Sequence, residues 1–182
     1  MPGIQLNSNY NRAAMESESE RLSRRLIEEG EKTEEIFRSL PPGFLDKDLY
    51  ADGGCWKVGQ IMAHFLATEI GIFALISSIL DGNPGTPEDF DLNRYNEKKI
   101  TELCDLPLDV LLDRFLERRR KNALAVAGLT SNQLKTEGRH PFLGITQVEE
   151  IIKLLYRHNQ IHQRDIRRLL LESQISQKST NY

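Results

Sequence analysis

The sequence predicts an all-α protein, a four-helix bundle with a long crossover between its second and third helices. Three observations carry this expectation. Four segments of roughly 20 to 29 residues repeat apolar side chains at helical spacing, no stretch alternates convincingly as a strand, and the densest cluster of helix breakers falls in mid-chain. A length of 182 residues suits one domain. Its expected parts are a polar, asparagine-rich arm over residues 1–14, the bundle over 15–173 and a polar tail over 174–182.

The first helix is expected from Met15 to Leu40, where Met15, Leu22, Leu26, Phe37 and Leu40 recur among many glutamates and arginines. Pro41, Pro42 and Gly43 end it. After a loop holding Asp52, Gly53 and Gly54, an apolar pattern runs from Trp56 to Leu80 through Ile61, Met62, Phe65, Ile72 and Ile76. Breakers from Asp81 to Pro87 then open a connection reaching Leu106, with a short helix expected around Asn93 to Leu103. Asp105 is placed to cap the third helix, with Pro107 in its first turn, and Val110, Leu111, Phe115, Leu124 and Val126 continue the pattern to Gly128. Thr146 and Glu149 have capping-box spacing for the fourth helix, which follows Val148, Ile152, Leu155, Ile166 and Leu169 and frays after Ser173.

Composition narrows the function classes. A formal net charge of −3 gives no electrostatic reason to expect nucleic acid or an anionic membrane as partner. The basic runs at Arg118 to Lys121 and at Arg164 to Arg168 lie on helical patterns and read as solvated faces. Cys55 and Cys104 form no CxxC pair, which argues against a cysteine zinc site or a disulfide framework, and they read as reduced packing groups. The apolar run Ile70 to Leu80 is interrupted by serines and short for a membrane span, so cytoplasmic residence is expected. No HExxH, GxSxG, Walker-type or dinucleotide motif occurs.

The histidines carry the chemistry. There are four, and His158 and His162 lie four apart on the fourth helix. Residues at that spacing project from one face, one turn apart, so their ring nitrogens can converge on one ion. That face also holds Ile151, Leu155 and Leu169. Imidazoles buried there need either polar partners or a shared metal. His64, on the border of the second helix's apolar stripe, can supply a third ligand, while His140 sits in a glycine- and proline-flanked segment and is left out. Three histidines leave coordination positions open for water or substrate, and zinc, nickel and ferrous iron all accept imidazole. Asp165, one turn from His162, and Glu69, near the centre of an apolar face, are the carboxylates placed to act as polar partners.

The segment from Trp56 through His64 to Glu69 resembles the second-helix signature of the DinB-like bundle family, and His158-Asn-Gln-Ile-His162 is similar to that family's fourth-helix ligand pair. The family includes thiol-dependent S-transferases and mycothiol-dependent maleylpyruvate isomerases. The resemblance covers Met15 to Leu171 and extends more weakly to the crossover at Phe90 to Asn96; Lys57 departs from it where a small hydroxyl residue is common. It implies a bundle with a long crossover, one divalent metal ion on His64, His158 and His162, and a homodimer. The function expected from it is a metal-dependent transferase acting on a small molecule through a low-molecular-weight thiol, or a metal-assisted hydrolase. A non-enzymatic metal-stabilised helical dimer or stress-related binding module is the competing class.

Overall fold

A computed structural model describes residues 16–50 and 56–180, with side chains to residue 176. The expected N-terminal arm, Met15, the Asp52 to Gly54 loop and Cys55 lie outside the described residues. Four long helices build the bundle: α1 (Glu18–Arg38), α2 (Val58–Leu80), α4 (Leu108–Ala127) and α6 (Val148–Thr180). Between them come the crossover helix α3 (Leu92–Leu103) and the single turn α5 (Ser131–Leu134). Two small antiparallel hairpins, β1 (Asp48–Tyr50) with β2 (Trp56–Lys57) and β3 (Glu137–His140) with β4 (Gly144–Gln147), correct the expectation of a strand-free chain.

Local chemistry sets the helix ends. Ser17 Oγ accepts the Glu20 N–H at 3.2 Å while Glu20 Oε2 accepts the Ser17 N–H at 2.8 Å, a reciprocal cap that starts α1. α1 ends at its cap Ser39, and Gly43 turns the chain beyond it with φ of 76°, a left-handed conformation that suits glycine. At α2 the Gln60 side chain accepts the Lys57 N–H at 2.8 Å, so Lys57 enters the helix without needing a hydroxyl of its own. Asp105 does not cap α4; Pro107 occupies the cap position with φ of −56°, which its ring pre-sets. Thr146 belongs to β4, paired with Gly138, and the first N–H of α6, on Val148, goes to Thr136 O at 2.9 Å. The last helix also continues to Thr180, past Ser173.

Each of α1 and α2 packs against both α4 and α6, so α1 and α2 stand on one diagonal of the bundle and α4 and α6 on the other. The connection from α2 to α4 runs back along the bundle through α3, which is the expected crossover. It lies close to α2, because a side chain at Gly71 would meet the Tyr95 hydroxyl at 2.6 Å. Its beginning is tied to the second hairpin by the Thr86 N–H and Arg139 N–H, which reach Arg139 O and Pro84 O at 2.9 and 2.8 Å.

Two apolar clusters fill the interior. One holds Phe37, Val58, Ile61, Met62, Phe65, Leu112, Phe115 and Ile166; the other holds Leu26, Ile76, Ile79, Val126, Ile151, Ile152 and Leu155. Burying each such side chain fully contributes about 1.5 to 3 kcal/mol. Leu124, expected in the α4 stripe, instead faces outward at 77% exposure. By length and composition α2 could cross a membrane, yet half of it is buried inside the bundle, and its buried residues include His64 and Glu69. Where the two clusters meet, every long helix contributes polar side chains: Glu29 and Thr33, His64 and Glu69, Arg119 and Asn122, and Asn159 and Gln163.

Candidate metal centre

Between the two clusters α2 and α6 bring His64, His158 and His162 together. One ligand-capable nitrogen from each ring lies within 4.8 Å of the others. His158 Nε2 stands 2.9 Å from His64 Nε2 and 2.9 Å from His162 Nε2. A neutral imidazole nitrogen has either one proton or one lone pair, so His158 Nε2 can satisfy only one of those contacts by hydrogen bonding. A cation at the convergence point would satisfy all three lone pairs together. The donor set therefore fits a divalent metal.

Protonation points the same way. Burial depresses the His64 ring to about 3, helped by the nearby His162, and the His162 ring to about 4. Burial also carries His158 well below the usual imidazole range, helped by His64 and His162. Neutral rings are the form a metal needs.

The short β1–β2 hairpin closes over both ligand-bearing helices with two aromatic residues. Trp56 packs its ring against His64, with centroids 4.8 Å apart, and Tyr50 packs edge-on against His162 at 5.7 Å. The Tyr50 hydroxyl lies 2.7 Å from His162 Nδ1 and donates to Asp165 Oδ2 at 2.9 Å. With its hydrogen directed at Asp165, the phenol oxygen accepts from Nδ1–H, which leaves the His162 Nε2 lone pair facing His158. Burial, with the Asp165 hydrogen bond, raises the Tyr50 hydroxyl above its ordinary range, so it stays protonated. Tyr50 is a site residue the sequence reading missed, because it is 112 positions from His162 and sits on a strand of three residues.

Of the carboxylates singled out from sequence, Glu69 has buried partners and Asp165 a half-buried one. Asp165 reaches His162 through Tyr50. Glu69 instead contacts Arg119 Nη2 at 2.6 Å through Oε1 and accepts from Asn122 Nδ2 at 2.8 Å through Oε2. Arg119 corrects the reading of its basic run as a solvated face, since it is 1% exposed. His140 is not in a loop: it ends β3, buried, and its Nδ1 accepts the N–H groups of Phe142 and Leu143 at 3.1 and 3.3 Å.

The family model described as the DinB superfamily matches residues 25–166. This chain belongs to the DinB superfamily. No curated protein matches it. Among solved structures, this DinB-superfamily chain is similar to YfiT from Bacillus subtilis, described as a probable metal-dependent hydrolase with an unusual four-helix bundle topology. The TM-score is 0.71 at 19% identity, over 92% of this chain and 95% of that one. It is also similar to a mycothiol-dependent maleylpyruvate isomerase (TM-score 0.63, 14% identity), covering 82% of this chain but 59% of the isomerase. An uncharacterized protein from Clostridium difficile 630 matches with TM-score 0.65 and 16% identity, over 83% of this chain and 94% of that one. At these identities the likeness is one of fold.

Proposed function

We propose that this DinB-superfamily protein is a divalent-metal-dependent enzyme that holds its ion on His64, His158 and His162 and transfers a low-molecular-weight thiol to a small electrophilic substrate. The observation carrying the metal is the convergence of three neutral Nε2 atoms, with two 2.9 Å contacts that hydrogen bonds alone cannot both satisfy. A bound ion there supplies Lewis acidity, which lowers the pKa of a thiol or water it meets. Zinc, nickel and ferrous iron all suit three imidazoles.

The protein's own groups favour a thiol. The two buried carboxylates near the rings are committed, Glu69 to Arg119 and Asn122 and Asp165 to Tyr50. That arrangement suits a nucleophile that ionises without a protein base, as thiols do more readily than water. His64 and His162 are held by Trp56 and Tyr50, so two of the three donors are oriented before anything binds.

Hydrolysis is the second reading, favoured by the Asp165–Tyr50–His162 chain, which offers a path for a proton next to the ion. The two separate by assay of the metal-loaded protein against thiol-plus-electrophile pairs and against ester and amide substrates. Turnover that disappears with chelation, returns with metal and is lost in His162→Ala supports an enzyme. A Tm that falls on chelation with no turnover on either panel would assign the chain to a metal-stabilised helical dimer or a stress-related binding module. Cytoplasmic residence and a homodimer accompany this reading, and light scattering that gives only the monomer mass across a wide concentration range rules out the dimer.

A further inference from the structure

Arg119 is a large cation enclosed completely by the bundle, and the metal reading alone gives it no task. Its guanidinium reaches all three other long helices. On α2, Glu69 Oε1 stands 2.6 Å from Nη2. On α6, the Asn159 side-chain oxygen accepts from Nη2 at 2.9 Å, in the amide orientation that also lets Asn159 donate to Leu155 O at 3.0 Å; Leu155 O itself is 3.5 Å from Nη2. On α1, Leu26 O accepts from Nη1 at 3.3 Å. Asn122, one turn along α4 from Arg119, donates to both the side chain and the backbone oxygen of Glu69 at 2.8 and 3.1 Å. The site is shaped for this side chain: a β-carbon on Gly30 would stand 3.0 Å from Arg119 Cγ.

Where these ties land matters. Leu155 and Asn159 bracket His158 on α6, and Glu69 follows His64 by five residues on α2, about 7.5 Å of helix rise. Arg119 thus cross-ties the two ligand-bearing helices beside their ligands, through directional contacts that a slide of one residue, about 1.5 Å, would break. Apolar packing along the same helices tolerates small slides and repacking better, because it is not directional. We infer that Arg119, with Glu69 and Asn159, is a positioning device that sets the register of α2 against α6 so that His64 meets His158 and His162. This rests on the metal reading and adds to it which residues outside the ligand set hold the site in place.

The test separates position from stability. Replacing a buried ion pair with apolar groups of similar volume is often neutral or stabilising, so Glu69→Leu with Arg119→Met together preserves the fold. Co²⁺ serves as the probe, read by competition for its dissociation constant and by its visible absorption, which reports coordination geometry. The double variant is expected to unfold at a Tm near the parent's, to bind Co²⁺ at least about tenfold more weakly and to show an altered spectrum. Asn159→Ala, which keeps the ion pair and cuts one tie next to His158, is expected to weaken Co²⁺ binding several-fold and carries the test if the double variant does not fold. Leu22→Ala, a cavity in the far core, controls for destabilisation alone. A parent that binds no Co²⁺ refutes the metal reading itself. A parent that binds it, with folded variants matching its affinity and spectrum, overturns the positioning role.

Discussion

The Tyr50 hydroxyl is the smallest group whose removal separates the apo fold from the metal site. Tyr50→Phe keeps the ring that packs edge-on against His162 and deletes one oxygen. Two contacts go with it, the 2.7 Å contact to His162 Nδ1 and the 2.9 Å bond to Asp165. A neutral hydrogen bond contributes about 0.5 to 1.5 kcal/mol net, and one to a charged group about 1.5 to 3. Asp165 keeps the weaker company of Arg164 and Arg168 at 3.6 and 3.9 Å, so the loss in the metal-free protein falls at the low end of the two together, about 2 kcal/mol. In the loaded protein His162 also loses the group that fixes its tautomer, a change that typically weakens metal affinity by about 10- to 100-fold, or about 1.4 to 2.7 kcal/mol more. Urea unfolding of the metal-free and zinc-loaded proteins, beside zinc competition with a chromophoric chelator, measures both quantities. Equal losses in the two forms with unchanged zinc affinity would refute the reasoning and reduce Tyr50 to a packing residue.

Three further outcomes are expected. Arg119→Met alone strands the Glu69 carboxylate and should cost about 3 to 5 kcal/mol by urea unfolding. Burial already pushes Glu69 upward, and without Arg119 only the weaker pull of Arg118 opposes it, so that cost is greatest at high pH and shrinks as the carboxyl protonates; a cost under about 1 kcal/mol at pH 8 contradicts it. The metal-free protein should lose stability as pH falls from about 6.5 towards 4, because burial depresses His64, His140, His158 and His162 and the unfolded chain takes up protons that the fold refuses. A urea midpoint unchanged between pH 7 and 5 argues against neutral buried rings. Chelating a loaded sample should lower Tm, and zinc at about 100 times its Kd should restore about 2.7 kcal/mol, checked by thermal scans at graded zinc.

The long helices were legible because each repeats apolar residues at helical spacing over five or more turns, and the buried place of Glu69 followed from its position on such a stripe. The His158–His162 pair was legible for the same reason, since spacing of four fixes a shared face, whereas His64 entered through its place on the border of the α2 stripe and through the family resemblance. What escaped depends on tertiary neighbours. Arg119 sits among Arg118, Arg120 and Lys121, and composition cannot say which of four adjacent cations turns inward; Gly30, on another helix, makes the room. Tyr50 and Trp56 lie on strands too short to show alternation, and only the packed hairpin reveals that they hold the imidazoles. Thr146 had capping spacing but was claimed by the β3–β4 ladder, a case of long-range pairing overriding a local signal.

The diagonal placement of α1 and α2 also has a consequence for synthesis. The helices that pack on α2, the most apolar of the set, namely α3, α4 and α6, are all made after it, and α1, already made, stands across the bundle from it. At about 5 to 20 residues per second, the ribosome needs several seconds or more to produce α4 and α6 after Leu80 emerges. During that interval a helix long and apolar enough for a lipid bilayer has no permanent cover. The same topology that closes the three-histidine site last therefore leaves the most apolar helix waiting for its cover until α6 is made.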